Sequence, residues 1–348
     1  MSSKKLDIES YYDKNNLDEQ RAQYRELCTK ELSKGQLTNF LWNMGTIQNV
    51  RYPGILGFEG IFKKKPAVVV GAGPSLDKNA HLLDRDKMII ITCDAALPVL
   101  VKKYKIYPHF VVMVDPTEKQ KVNFKDIDTT KFYTVVPPVV HPSIFRVVDP
   151  KNLLVYNLKD PKNEIFEQAP YHIGKRGAMT AAVLSTGSCF CFAAAMHCDP
   201  IIFIGMDLSW ASTDKVYADG IEEWKVNYQK NAKFRGSCMI VPDIYGKKVL
   251  THQTLFIFWA WLRDQSQYIT NKLINSTEGG ILKFKGMQVM PFKQAIEKHC
   301  SKLLVGVEEK IKNAYFYEFS DGLIEKVLLP PFKKQYSAMR KKIVGGKN

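Results

Sequence analysis

The sequence predicts an α/β protein: a Rossmann-like, doubly wound, mainly parallel sheet with helical additions at both ends. Three observations carry this. Short continuous runs of β-branched and other apolar residues recur between residues 66 and 204, and such runs suit strands covered on both faces. Helical stretches, above all 181–196, lie between several of them, and strand alternating with helix implies a parallel sheet. The first run, Ala67-Val68-Val69-Val70, ends in Gly71-Ala72-Gly73-Pro74-Ser75-Leu76, and open α/β sheets bind ligands at such carboxyl ends of strands.

In chain order, residues 1–60 read as a helical N-terminal appendage. The stretch 17–32 is charged with spaced apolar residues, as a surface helix is, and Gly45 and Pro53-Gly54 break the pattern. Residues 61–300 read as the nucleotide-binding domain, with strands at 67–70, 88–92, 110–114, 132–136, 153–156 and 200–204. After Asp207 the sheet signal weakens. The stretch 254–269 reads as an aromatic helix whose Leu255, Phe256, Phe258, Trp259, Trp261 and Leu262 belong to a core. Residues 301–348 read as a basic tail, helical as far as Pro330-Pro331. There is no internal repeat and no low-complexity tract.

The chain has 348 residues, enough for one large α/β domain with additions or for two small domains. Its 45% apolar content is ordinary for a chain with a buried core. No apolar run reaches the roughly 18 residues of a membrane span, and residues 1–13 are polar, without the apolar region of an export signal. The expected location is cytoplasmic. Seven cysteines are scattered along the chain. Cys189, Cys191 and Cys198 cluster, but C-x-C-x6-C is not a common zinc spacing. They read as buried free thiols in a reducing compartment, with no metal. The net charge of +15, with patches at Lys63-Lys64-Lys65, Lys333-Lys334 and Lys341-Lys342, favours anionic partners, weak binding to anionic surfaces included. No fingerprint of a nucleic-acid-binding module is present, so no specific nucleic acid is expected.

Four features carry chemistry. In Gly71-Ala72-Gly73-Pro74-Ser75-Leu76-Asp77, the glycines let the backbone turn tightly, with positive φ expected at Gly73, and approach a ligand closely. Pro74 suits a first helical position, and the helix start then faces an anion such as phosphate. The loop departs from the dinucleotide fingerprint, because Leu76 holds the third glycine position, and no Gly-Lys-Ser/Thr marks a P-loop. Second, Asp94, Asp115 and Asp207 each follow a strand. One such acid alone is more often a helix cap; three in one topological place suit ribose or sugar hydroxyls, or Mg2+. Third, Ser185-Thr186-Gly187-Ser188 opens a helix, either as a second binding turn or as close helix–sheet packing. Fourth, Asn275-Ser276-Thr277-Glu278-Gly279-Gly280 is a donor-rich polar turn, or an ordinary loop.

These motifs, in this order, resemble the Maf-type motility accessory factors, which are proposed transferases of nonulosonic acids onto flagellin. The likeness runs through Gly71–Asp77, Cys93-Asp94-Ala95-Ala96-Leu97, Pro108-His109-Phe110, Val114-Asp115, Gly187-Ser188, Ile204-Gly205-Met206-Asp207-Leu208 and Asn275–Gly280, and spans about residues 66–300. Archaeal 6-hydroxymethylpterin diphosphokinases belong to the same superfamily and use ATP with Mg2+. Bacterial family-42 sialyltransferases are also similar: their Gly-Asn-Gly-Pro-Ser loop binds a CMP-sugar, and Ser185-Thr186-Gly187, Gly205-Met206-Asp207 and Tyr217-Ala218 resemble their later motifs. Ala72 stands where they have a donor-binding asparagine, Tyr217 where Maf-type proteins often have a histidine, and the sialyltransferase general-base histidine has no clear counterpart.

The resemblance implies a glycosyltransferase-like enzyme that uses a CMP-activated nonulosonic acid or similar sugar nucleotide, with a glycan or flagellin-like protein as acceptor and no separate cofactor. Gly71, Ala72, Gly73, Pro74, Ser75, Asp94, Thr186, Gly187 and Ser188 would bind the nucleotide. Thr277, Glu278 and Gly279 would bind substrate, and Asp207, Asp115 or His252 would serve as catalytic base. The alternative is a pterin-alcohol diphosphokinase with ATP and with Mg2+ on Asp94, Asp115 or Asp207. A third reading is a nucleotide-binding protein without catalysis.

Overall fold

The structure is a computed structural model that describes residues 8–9, 18–160, 163–182, 184–210, 215–221 and 238–317. Its centre is an eight-stranded sheet in which every pair is parallel. The strands are β1 (Ala67–Val70), β2 (Ile89–Cys93), β3 (Phe110–Val112), β4 (Tyr133–Val136), β5 (Leu153–Val155), β8 (Ile201–Ile204), β11 (Leu273–Asn275) and β12 (Gln288–Val289). They stand in the order β12-β11-β8-β1-β2-β3-β4-β5. Between them in sequence, β6 (Asn157–Lys159) and β7 (Ala178–Thr180) form a small parallel pair, and β9 (Cys238–Pro242) and β10 (Lys248–His252) an antiparallel hairpin. The sheet agrees with the predicted class: a Rossmann-like α/β fold.

The chain winds outward from β1 through β5, then returns to lay β8 on the other side of β1, in register Ala67↔Ile201 to Val70↔Ile204. The order therefore reverses between β1 and β8. That reversal opens a crevice above the carboxyl ends of the two strands. Both strands are wholly buried: Val68, Val69, Val70, Ile201, Ile202, Phe203 and Ile204 have no exposed surface. Each such side chain contributes roughly 1.5–3 kcal/mol by leaving water.

Six predicted strands are present, the first with its predicted ends and the others with ends shifted by at most two residues. The fading of the sheet signal after Asp207 is corrected. β11 continues the sheet beyond β8, in register Leu273↔Ile201, and β12 follows it. Neither builds an apolar run that a pattern search detects, since β11 is Leu-Ile-Asn and β12 is Gln-Val. The predicted 181–196 helix begins only at Ser185 (Ser185–Ala195), and the aromatic helix is Gln253–Ser266. Its Phe258, Trp259 and Leu262 are fully buried, as a core stripe should be. Cys189 and Cys198 are buried free thiols. Of the basic tail, the helix Val307–Tyr317 is described; residues 318–348, with Lys333-Lys334 and Lys341-Lys342, lie outside the described residues.

The helix Asp18–Val50 is fastened to the domain. Asn43, 1% exposed, donates both amide protons, to the carbonyls of Pro138 (2.9 Å) and Val140 (2.7 Å). Asn39 does the same to Pro116 (2.8 Å) and Val139 (3.0 Å). The helix thus lies across the loops that leave β3 and β4.

Candidate functional site

A cavity of about 440 Å³ opens at the carboxyl ends of β8, β1, β2 and β3. The switch point forms its floor. Gly71 N–H donates to the Ile204 carbonyl (2.9 Å) and Gly73 N–H to the Gly205 carbonyl (2.8 Å), so the loops after β1 and β8 are in backbone contact. A Cβ on Gly71 would stand 2.5 Å from the Gly205 oxygen, and one on Gly73 2.8 Å from the same oxygen and inside the Asp207 carboxylate. Close approach is what demands glycine here. The expected positive φ is corrected: Gly205 has it at +62°, whereas Gly71 and Gly73 do not.

The helix after the loop is a single turn, Leu76–Asn79, with Ser75 as N-cap, so Pro74 precedes the cap. The donors of Ser75 at this helix start are already used. Ser75 Oγ donates to Asp207 Oδ2 at 2.7 Å and Ser75 N–H to the same oxygen at 3.2 Å. The expected anion at the helix N-terminus is thus supplied by the protein itself. The Ala72 N–H, on the cavity wall, has no acceptor among the described residues. The Ala72 carbonyl accepts from Ala218 N–H (3.0 Å), which draws Tyr217 to the cavity. Asp77 is drawn into the same contact through Asp219 N–H (3.0 Å) and Lys103 (2.8 Å).

Asp207 lies just past the end of β8 and is 7% exposed. Burial pushes its carboxyl up to about 6, against the pull of the Ser75 hydrogen bonds and of Lys78. On the other side of the glycine loop, Asp94 and Asp115 sit past β2 and β3. Asp94 is also pushed up to about 6, first by burial and then by the charge of Asp115, while Asn123 and Ser185 pull it down. Asn123 Nδ2 donates to Asp94 Oδ2 (2.9 Å) and to Gln120 Oε1 (3.0 Å), and Gln120 Nε2 donates to Asp115 Oδ2 (2.8 Å). Thr117 N–H reaches Asp115 Oδ1 (2.8 Å). Two buried amides therefore join two acids into one network. Such a network of acids and amides suits hydroxyl recognition or proton transfer.

The structure brings together Gly71, Ala72, Gly73, Pro74, Asp94, Asp115, Thr186, Asp207 and His252 on the cavity wall, with Ser75 just behind Asp207. His252 is there as the N-cap of Gln253–Ser266: its Nδ1 accepts from Thr254 N–H (3.1 Å), and burial lowers its pKa. The neutral ring then carries its proton on Nε2 and presents a donor, which weakens its claim as base.

Besides Ser75, five predicted site residues lie off the cavity wall. Gly187 is a packing glycine. A Cβ there would stand 2.6 Å from Ala182 Cβ, 2.8 Å from Phe258 and 2.9 Å from Trp261. Ser188 is fully buried beneath it, within 3.5 Å of the Tyr156 hydroxyl. Thr277 is buried, and its hydroxyl accepts from Met206 N–H (3.2 Å). Glu278 turns away to accept from Phe292 N–H (3.0 Å), at the start of the helix Phe292–His299. Gly279 passes behind Asp207, where its Cβ would come 3.9 Å from Asp207 Oδ1. The Asn275–Gly280 turn thus supports the loop after β8.

Sequence reasoning missed Gln36, Gln120 and Asn123. Gln120 and Asn123 belong to the 3-10 helix Glu118–Phe124, whose composition matches any solvated turn. Their spacing of three residues is the one available signal.

The model of the family described as "6-hydroxymethylpterin diphosphokinase MptE-like" matches residues 38–213, which carry the glycine loop and all three acids. No curated protein matches the chain. Among solved structures, the chain is similar to a Maf glycosyltransferase from Magnetospirillum magneticum AMB-1, with a TM-score of 0.55 and 15% identity. The alignment covers 80% of this chain and 41% of that one, so the chain spans less than half the length of that protein, and the likeness is one of fold. With more than half of its 348 residues inside the family match, the chain belongs to the 6-hydroxymethylpterin diphosphokinase MptE-like family.

Proposed function

We propose that the chain is a glycosyltransferase-like enzyme whose donor is a CMP-activated nonulosonic acid or similar sugar nucleotide. One observation carries the reading: a single cavity at the sheet's switch point joins the glycine loop, with its unoccupied Ala72 amide, to an acid on one side and a coupled acid pair on the other. In this reading the ligand follows the strand order. The phosphate meets the Ala72 N–H above β1. The nucleoside lies toward β8, where Trp210, Tyr217 and His252 line the wall, and aromatic rings suit a base. The sugar lies toward Asp94 and Asp115, whose oxygens suit hydroxyls. A fixed amide dipole stabilises the leaving phosphate, and Asp207 or Asp115 takes the acceptor's proton. The fold shared with a solved Maf glycosyltransferase supports the reading. A glycan or a flagellin-like protein is the proposed acceptor, and the cytoplasm the proposed location.

The family's own description favours a second reading, a diphosphokinase on a pterin-like alcohol. There Asp94 and Asp115 would hold Mg2+ between ATP phosphates. Isothermal titration of the full-length chain with CMP, CMP-N-acetylneuraminic acid and ATP with Mg2+ separates the two. The leading reading expects micromolar binding of CMP and its sugar conjugate without metal. Binding of ATP alone, dependent on Mg2+, overturns it in favour of the kinase.

A further inference from the structure

The family match begins at residue 38, yet the cavity has a wall residue ahead of it. Gln36, on the helix Asp18–Val50, lines the same cavity as Asp115, Pro116 and Gln120. Its amide is half-buried and meets no partner among the described residues. The helix is not loosely attached at this point. Residues 36, 39, 40, 43 and 47 recur at helical spacing on one face, and Asn39, Phe40, Asn43 and Ile47 are buried. A buried amide is tolerated when its protons are accepted, and Asn39 and Asn43 each place two protons on carbonyls of the loops after β3 and β4. One of those carbonyls is that of Pro116, the neighbour of Asp115. The geometry that holds the Asp115 loop therefore also aims Gln36 at the acid end of the cavity.

We propose that this helix is an integral wall of the ligand site, latched by Asn39 and Asn43, and that Gln36 is a specificity residue that hydrogen-bonds the sugar of a bound sugar nucleotide. A primary amide offers both donor and acceptor, which matches a hydroxyl or a carboxylate on the sugar. The ligand half rests on the sugar-nucleotide reading; the wall does not.

The test uses the full-length chain in two measurements. The first is titration of CMP and of CMP-N-acetylneuraminic acid into the native chain and Gln36→Ala. The affinity for the sugar conjugate falls about tenfold, the size of one lost hydrogen bond, while that for CMP is unchanged. An unchanged sugar conjugate, or an equal loss for both ligands, overturns the role of Gln36. The second needs no nucleotide. Cys93 lines the cavity, whereas Cys198 is fully buried away from it. In the double variant Asn39→Ala, Asn43→Ala, N-ethylmaleimide labels Cys93 at least about tenfold faster than in the native chain, read by peptide mass spectrometry, with Cys198 unchanged. Equal Cys93 rates in a folded double variant overturn the wall, and accelerated Cys198 labelling marks general unfolding and overturns it as well. If the native chain binds neither CMP nor its conjugate, the sugar-nucleotide reading fails and takes the Gln36 contact with it, while the labelling still decides the wall.

Discussion

The Asp207 carboxylate sits directly on Ser75, across 132 residues of sequence: one oxygen accepts from the Ser75 hydroxyl at 2.7 Å and from its amide at 3.2 Å. This contact sews the loop after β8 to the loop after β1 at the point where strand order reverses. It gives Asp207 two duties. It caps the Leu76–Asn79 turn, and it faces the cavity with a carboxyl that burial has raised to about 6.

Asp207→Asn separates these duties. An amide oxygen accepts from Ser75 as well as a carboxylate does, because asparagine caps as effectively as aspartate. The charge needed for proton abstraction is gone. The expected result is a fall in kcat of roughly 100-fold or more, with the melting temperature moved by no more than a few degrees. Turnover on a CMP-sugar donor and calorimetry check it; a silent variant leaves Asp207 as a cap and makes Asp115 the better base.

Gly73→Ala is argued from space rather than from backbone angle. The φ of Gly73 lies outside the left-handed region, so alanine is allowed there in isolation. Its Cβ would overlap the Asp207 carboxylate and stand 2.8 Å from the Gly205 oxygen. The two loops must part, at a cost of about 1–3 kcal/mol, and nucleotide affinity falls with the displaced Ala72 amide. Chemical denaturation measures the first effect and titration the second. Wild-type values for both would show that the loops are not in contact.

How much of this was legible in the sequence follows from what each residue does. Ala67–Val70 and Ile201–Ile204 are continuous apolar runs because both faces are buried, and that pattern is local. The glycine loop was legible for the same reason, since its residues stand side by side. The reason for its glycines was not: what excludes a side chain at Gly73 is Asp207, a neighbour only after folding. Gly187 and Thr277 looked like ligand contacts because small and hydroxylated residues near helix starts bind ligands and also pack closely. Their packing partners Phe258, Trp261 and Met206 are brought in from elsewhere in the chain. Gln36 carried no signal, and Gln120 only its spacing from Asn123, because a polar residue on a charged helix or turn becomes a wall residue only through what it lies against.

Gly187→Ala isolates packing from binding. The new Cβ meets Ala182, Phe258 and Trp261 within 3 Å, at a junction where helix and sheet have no slack. The expected outcome is a loss of about 1–3 kcal/mol of stability, with nucleotide affinity per folded molecule unchanged. A fall in affinity without a fall in stability would return Gly187 to the ligand.

Asp94 makes stability depend on pH. Its folded carboxyl titrates near 6 against 3.8 for an ordinary aspartate, so the fold favours the protonated form. That contribution is fully present below 3.8 and is lost as pH rises through about 6. The rise amounts to about 3 kcal/mol at 1.36 kcal/mol per pH unit. Asp94→Asn keeps an oxygen for Asn123 and cannot ionise. Measured by urea unfolding, the variant should therefore gain on the native chain between pH 4 and pH 8; a difference that is flat across that window would mean Asp94 is not held in a desolvated site.

The last prediction concerns His252, the histidine that the sequence offered as a base. Its Nδ1 accepts from Thr254 N–H at 3.1 Å at the start of Gln253–Ser266, and asparagine fills such an N-cap with its side-chain oxygen. His252→Asn therefore keeps the helix and discards the imidazole. If the ring is a cap, turnover stays within about threefold, well short of the roughly 100-fold that losing a general base costs, and the melting temperature at pH 7.5 hardly moves. His252→Ala, which loses the cap too, costs about 1 kcal/mol and again spares turnover. Burial lowers the histidine's pKa below 6.5, so the native fold favours the neutral ring. That contribution is present above pH 6.5 and is lost as pH falls below it. The native chain should accordingly lose more stability than His252→Asn between pH 7.5 and pH 5. A 100-fold drop in turnover for His252→Asn at an unchanged melting temperature would instead put the imidazole into the chemistry, with Asp207 left to hold the glycine loop.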